Sequence, residues 1–213
     1  MDKPDAFDLL VEYPMKHNLP FETSRSLKWF YFTPNNPMTS TKFVLFEKNG
    51  LLFYAYDSYS TKMYSGTTTT GIYSILDLQT DIECKVYKRD WFDFLFYFNR
   101  KRSGIAYIDK HLTLTSRSEF SVSKLLSTET TSLFLDLYQS IPPISLLIQN
   151  NYFPFIKQFS NKKTIGLGTN QWLFKEEDIT ILLEKGEAIF QQIRQDALKY
   201  VCDNCSFHDS DIR

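Results

Sequence analysis

The feature that most constrains the fold is a change in hydrophobic period near the C-terminal end. From about residue 175 to 200, apolar residues recur every three or four positions, as on one face of a helix. Because a helix with one apolar face must bury that face against another layer, we expect it to lie across a sheet. Its apolar positions are Ile179, Leu182, Leu183, Gly186, Ile189, Phe190, Ile193 and Ala197.

The segments before this helix have the short runs of β-branched and aromatic residues that are typical of strands. Asn49-Gly50 predicts a tight hairpin turn, and the polar stretch 59–70 predicts either a long hairpin tip or an extra edge strand. A short helix with Pro14 inside it is predicted before the strands. The predicted antiparallel strands of this part are 27–32, 42–47, 51–57, 71–78 and 82–87.

The second part of the chain predicts a strand at 105–116, helical turns capped by Ser121 and Ser127, and strands at 144–149 and 164–168. Gly166 and Gly168 are interpreted as a bend or bulge at a strand end. The fold class is therefore α+β, with one or two antiparallel sheets covered on one side by helices. We expect two intimate halves, 1–99 and 104–200, each with a helix on its own sheet, and a polar tail at 201–213.

Charge and cysteine content restrict the partners and the compartment. Lys plus Arg (24) nearly equal Asp plus Glu (25), so the net charge does not steer the chain to nucleic acid or anionic lipid. Three cysteines do not make an even set of disulfides, which favours a reducing compartment. With no signal-like start and no long apolar run, we expect a cytoplasmic protein with no membrane segment.

The C-terminal run Cys202-Asp-Asn-Cys205-Ser-Phe-His208 is the one local cluster of metal-type side chains. Two cysteines at this spacing suit a pair of zinc ligands, and the histidine could join them. A closed zinc site needs four ligands, so a fourth would come from Asp209, from Asp211 or from a second chain. An incidental group of thiols in a frayed tail is the alternative, and no other cofactor is expected.

A basic turn at Arg100, Lys101 and Arg102 follows a stretch of aromatic residues. Basic residues interleaved with aromatic ones are typical of surfaces that bind single-stranded nucleic acid. With a neutral overall charge, a solvated loop beside core aromatics is the favoured explanation of the turn, and nucleic acid is not the expected partner. No pair of carboxylates and no histidine has the spacing of a catalytic pair, so we do not expect an enzyme.

Three segments resemble an uncharacterised group of bacterial domains of unknown function. They are the runs that begin at Asp109 (Asp-Lys-His-Leu-Thr-Leu-Thr-Ser-Arg-Ser), at Ser123 (Ser-Lys-Leu-Leu-Ser-Thr-Glu) and at Asp178 (Asp-Ile-Thr-Ile-Leu-Leu-Glu-Lys-Gly). The likeness spans residues 7–195 loosely and is a pattern of core positions. It implies a cytoplasmic module and transfers no functional residue.

The sequence thus predicts a non-catalytic bacterial protein-interaction or regulatory module. Its surplus of aromatic residues and its exposed sheet edges would serve a protein partner or a homodimer. The alternative is a zinc-binding or nucleic-acid-associated protein that uses the C-terminal run of Cys202, Cys205 and His208.

Overall fold

The computed structural model describes residues 5–30, 33–60, 65–77, 83–90, 100–116 and 125–205 of the chain. Within these ranges there are four helices and nine strands. The helices are α1 (Ala6–Lys16), α2 (Ala106–His111), α3 (Thr128–Ser140) and α4 (Glu176–Cys205). The strands are β1 (Phe21–Phe30), β2 (Thr33–Lys48), β3 (Leu51–Ser60), β4 (Ser65–Ile75), β5 (Cys84–Lys88), β6 (Arg100–Lys101), β7 (Leu112–Ser116), β8 (Ile144–Asn150) and β9 (Lys163–Thr169).

All nine described strands form one antiparallel sheet in the order β1-β2-β3-β4-β9-β8-β5-β7-β6. This confirms the antiparallel α+β prediction in its coarse form. The expectation of a separate sheet for each half is wrong, because β4 pairs with β9 from Thr70↔Thr169 to Ile75↔Thr164. The boundaries at 1–99, 104–200 and 201–213 stay predictions, and residues 91–99 lie outside the described ranges.

Local signals define the ends of several elements, and two of them, the turn at Asn49-Gly50 and the cap at Ser127, are as the sequence predicts. Asp5 caps α1 by accepting the backbone N–H groups of Phe7 and Asp8, at 2.8 and 3.0 Å. Asn49 and Gly50 take φ angles of 55° and 75°, which a tight turn between β2 and β3 requires. Ser127 caps α3 by accepting from the N–H of Thr130. The predicted cap at Ser121 lies outside the described residues.

Two predictions about the strands need correction. The predicted strand 105–116 begins as helix α2, and β7 starts only at Leu112. The carboxylate of Asp109 accepts the N–H of Ser103 at 2.8 Å and stabilises the turn into α2, whose Ile108 is fully buried. The described part of the polar stretch 59–70 is the end of the β3–β4 hairpin, which pairs up to Ser60↔Ser65, and it is not a separate edge strand. Residues 61–64 lie outside the described ranges.

One face of the sheet, here called the inner face, carries the main core. A continuous row of buried apolar side chains crosses seven neighbouring strands, because their registers coincide. The row consists of Phe46, Phe53, Ile72, Leu167, Leu146, Val86 and Leu114. Helix α4 packs on it so closely that a Cβ at Gly186 would overlap Cδ1 of Ile72. The prediction that α4 crosses a sheet is confirmed.

Helices α3 and α4 are joined through one buried carboxylate. Asp196 Oδ2 accepts the hydroxyl of Thr130 at 2.9 Å and the N–H of Ser127 at 3.3 Å. Its other oxygen accepts the side-chain amide of Gln192 at 3.0 Å. These donors offset the cost of burying the charge, so Asp196 has a structural role at the start of α3.

The opposite face, here called the outer face, has a smaller apolar cluster. Leu52 and Tyr73 on neighbouring strands are covered by Phe153 and Phe159 from the segment 151–162 between β8 and β9. Edge-to-face contacts hold this cluster together, with ring centroids 4.7 Å apart for Tyr73 and Phe153. The rest of the outer face is more polar than the inner face.

Candidate interaction surface

The strands β1 to β4 form a long meander whose far end extends beyond the main core. Strand β1 is its edge, because it pairs with β2 on one side and with no described strand on the other. Each residue from Glu22 to Lys28 is exposed. A strand that is exposed on both faces buries little apolar surface. Because β1 also has no described neighbour on one side, its backbone N–H and C=O groups on that side are open to another strand.

Arg25 of β1 contacts the first turn of α1, outside the pairing of β1 with β2. The Arg25 guanidinium lies 3.1 Å from the Asp5 carboxylate and 5.9 Å from the centre of the Phe7 ring. The N–H of Asp8 lowers the pKa of the Asp5 carboxyl, burial opposes this, and the N–H of Phe7 and the charge of Arg25 lower it further. The first turn of α1 therefore supports the edge strand from the side.

Aromatic side chains form a cluster on the outer face of the meander. The rings belong to β2, to β3 and to the segment 151–162. Tyr54 is its centre, with ring centroids at 6.4 Å from Phe43, 6.2 Å from Tyr56 and 6.3 Å from Phe155. Phe155 is 69% exposed. Burial, with smaller effects of Tyr56 and Tyr152, raises the pKa of Tyr54 to about 12. The cluster lies on β2 and β3, inward of the open edge at β1, and exposed rings on a sheet face are typical of protein-binding surfaces.

Gly166 and Gly168 lie inside β9 and do not form a bend or bulge. Both pair in regular register with β4 and with β8. The reason for glycine is the ring of Tyr73, whose Cε1 would be 2.6 Å from a Cβ at Gly166. The strand signal was therefore correct, and Gly166 reflects close approach of an aromatic ring across the sheet.

The predicted basic turn lies at the other edge of the sheet from β1. Arg100 and Lys101 form the two-residue strand β6, which pairs with β7, and both Lys101 and Arg102 are exposed. The register places Arg100 opposite Thr115, and Thr115 is also opposite Lys85 of β5. The preceding aromatic stretch 91–99 lies outside the described residues, so interleaving of bases and rings stays a prediction.

The predicted metal ligands lie at or beyond the end of α4. The backbone of Cys202 and of Cys205 belongs to this helix, whereas His208 lies outside the described residues. Among the described side chains, no group of three His, Cys, Asp or Glu residues is placed to hold a metal. The zinc hypothesis stays a prediction.

Structural contacts surround three further titratable residues, Glu176, His111 and Cys84. Glu176 at the start of α4 binds Lys16 at 2.6 Å and contacts His17 at 3.3 Å. The hydrogen bond from Lys16 lowers the pKa of Glu176, with further lowering by His17. His111 lies at the end of α2 beside the Tyr107 ring, not on a strand as predicted. Burial raises the pKa of the Cys84 thiol in β5 to about 12, which makes it a poor nucleophile.

The comparisons with known proteins are negative: no family model, no curated protein and no solved structure matches this chain. Among the described helices, none combines the length and the apolar content needed to cross a membrane. The candidate surface therefore rests on the geometry of β1 and of the outer face. The sequence predicted exposed sheet edges but did not indicate which strand would have an open edge.

Proposed function

We propose that this protein is a non-catalytic protein-interaction module that binds another polypeptide strand along β1. The observation that carries the proposal is the run of seven exposed residues from Glu22 to Lys28 on an edge strand that has no described neighbour on its open side. Addition of a strand to such an edge gives affinity through main-chain hydrogen bonds. The exposed ring of Phe155 and the aromatic cluster around Tyr54, two strands in from this edge, would supply a second, apolar contact on the outer face.

The partner is either a second copy of the chain or another protein. We propose a cytoplasmic location, which the cysteine content supports. We also propose a bacterial source, which the resemblance implies. We also include the arrangement of two halves with helices over one face of a shared sheet. Zinc binding by Cys202, Cys205 and His208 remains a separate hypothesis, tested by elemental analysis with and without Cys202→Ser and Cys205→Ser.

The test uses proline at two successive positions of β1, Thr23→Pro and Ser24→Pro. Backbone N–H groups of successive strand residues point to opposite edges, so one proline removes a bond to β2 and the other removes a donor from the open edge. Urea unfolding identifies the first variant by its loss of stability. The second variant is then the specific probe of the open edge, and each variant is the control for the other.

Sedimentation velocity and affinity capture from the source cells supply the readout. We expect the wild type either to self-associate or to capture one protein. The variant with proline on the open edge should lose this assembly while it keeps wild-type stability. Assembly that survives this variant contradicts the proposal. A chain that neither self-associates nor captures a protein contradicts it as well.

A further inference from the structure

A cavity of about 940 Å³ lies on the outer face, over the neighbouring strands β4, β9, β8, β5 and β7. Its floor is low because Gly168 and Ser145, which pair across β9 and β8, have little or no side chain. A Cβ at Gly168 would meet the Tyr73 hydroxyl at 3.5 Å, an ordinary contact, so the space above this position is open. Cavities of roughly 300–1,000 Å³ bind small molecules, and this one is near the upper end of that range.

The cavity is long in the direction of the strands, because Gln149 and Asn170 both line it. Gln149 is opposite Thr164, which is six positions before Asn170. At a rise of about 3.3 Å per residue, the two backbone positions are about 20 Å apart. Both side chains are exposed, and neither side-chain amide forms a hydrogen bond with a described residue. The cavity therefore has a free donor and acceptor group at each end, farther apart than the width of a single sugar ring.

The charges of the cavity offset each other. All lining residues that belong to β4, β9 and β8 are uncharged. Glu83 and Lys85 lie two positions apart and therefore on the same face of the sheet, so their opposite charges are close together. The side chain of Lys88 is on the inner face, where its ammonium lies 4.7 Å from the centre of the Tyr138 ring. The cavity therefore favours a neutral ligand over an ion.

The hydroxyl groups of the cavity are arranged as acceptors. Thr115 donates its proton to the carbonyl of Lys85 at 3.3 Å, and Ser145 donates to the carbonyl of Gly168 at 3.3 Å. Because each proton is already used, the two oxygens offer lone pairs to a ligand. Acceptors of this kind fit the O–H groups of a polyol.

One wall of the cavity is aromatic. The half-buried Tyr152 ring lines it and is stacked on Tyr73, with ring centroids 5.3 Å apart. A sugar has an apolar face of C–H groups and a rim of hydroxyl groups. The aromatic wall fits the apolar face, and the hydroxyl and amide groups of the cavity fit the rim.

We propose that this cavity binds a neutral oligosaccharide. The Tyr152 ring packs against the apolar face of one sugar unit over the low floor at Gly168. Ser145 accepts from a hydroxyl of this unit, and the amides of Gln149 and Asn170 bind hydroxyls of units toward the two ends. The site is independent of the proposed strand addition at β1.

The experiment is an NMR titration of the full chain with cellotetraose, maltotetraose, mannotetraose and chitotetraose, followed by the same titration of three variants. Glucose tests the need for length, and tetragalacturonate tests the preference for a neutral ligand. Ser145→Leu fills the floor, and Gln149→Ala removes the amide at one end. Gln195→Ala is the matched control, because Gln195 is an exposed glutamine of α4 that does not line the cavity.

The expected result is millimolar or tighter binding of at least one neutral tetrasaccharide, with amide shifts in β8 and β9. Glucose and tetragalacturonate should bind at least about tenfold more weakly. Ser145→Leu should weaken binding of the tetrasaccharide at least about tenfold and Gln149→Ala about three- to tenfold, whereas Gln195→Ala should bind as the wild type does. Because the ligand is neutral, added salt should leave its affinity unchanged.

The proposal is overturned if no neutral tetrasaccharide binds, if glucose or tetragalacturonate binds equally well, or if Gln149→Ala binds as the wild type does. Urea unfolding shows whether each variant is folded. Gln149 is exposed, so its substitution is the deciding one if Ser145→Leu does not fold.

Discussion

The central strand β9 and the edge strand β1 belong to the same sheet and differ in almost every other respect. In β9 five of seven residues are buried, and it pairs with β4 and β8 over its whole length. In β1 the residues Glu22 to Lys28 are all exposed, and the pairing with β2 becomes irregular near Trp29. Burial therefore determines the sequence of β9, whereas the exposed residues of β1 are free to serve a partner.

The largest expected effect comes from removing one leucine from each strand. Leu167 is fully buried and Leu27 is 43% exposed. Leu167→Ala should reduce the free energy of unfolding by about 2–5 kcal/mol, because it leaves a cavity under α4. Leu27→Ala should change it by less than about 0.5 kcal/mol. Urea unfolding measures both, and equal losses in the two variants would show that β1 has a core of its own.

A second pair of variants tests the packing of Tyr73 on β9. Gly166→Ala would place its Cβ 2.6 Å from Cε1 of the ring and closer still to Cδ1, whereas Gly168→Ala would meet the Tyr73 hydroxyl at 3.5 Å, an ordinary contact. We expect the first to cost about 1–3 kcal/mol of unfolding free energy and the second clearly less. Adding Tyr73→Leu should recover part of the loss in Gly166→Ala. Absence of this coupling would mean that the ring is not the reason for the glycine.

A third pair concerns the support of β1 by α1. Asp5→Ala removes the helix cap and should cost about 1 kcal/mol, whereas Arg25→Ala removes only an exposed ion pair and should cost less than about 0.5 kcal/mol. Since folding lowers the pKa of Asp5 below its ordinary 3.8, its contribution is present above that pH and is lost as the pH falls through the lowered value. Unfolding curves at neutral and acid pH measure this, and a pH-independent cost would contradict it.

The smallest expected effect is the titration of Tyr54 in the aromatic cluster beside the edge. The difference in phenolate absorbance between the wild type and Tyr54→Phe should show a midpoint near pH 12, above the ordinary value of 10.0. Because folding favours the neutral phenol, its contribution to stability is complete below pH 10.0 and is lost as the pH rises toward 12. A midpoint at the ordinary value would show that Tyr54 is solvated and that the cluster does not pack.

Sequence patterns predicted the elements that local chemistry determines. The period of α4, the cap at Ser127 and the turn at Asn49-Gly50 each depend on a few neighbouring residues. Pairing between distant strands depends on residues far apart in the chain. The single sheet and the open edge at β1 were therefore not predictable from spacing. The glycines of β9 were misread because both lie inside the regular strand, and the ring that requires glycine at position 166 belongs to Tyr73, more than ninety residues earlier.

Amide hydrogen exchange is the most direct test of β1 as the interaction surface. The isolated chain is compared with its assembled state, which is either the self-associated protein or the complex with a captured partner. We predict that alternate amides from Glu22 to Lys28, those on the open edge, become protected upon assembly while the amides of β9 are unchanged. Protection that appears elsewhere on the molecule, with unaltered exchange throughout β1, would contradict the assignment of this edge as the interaction surface.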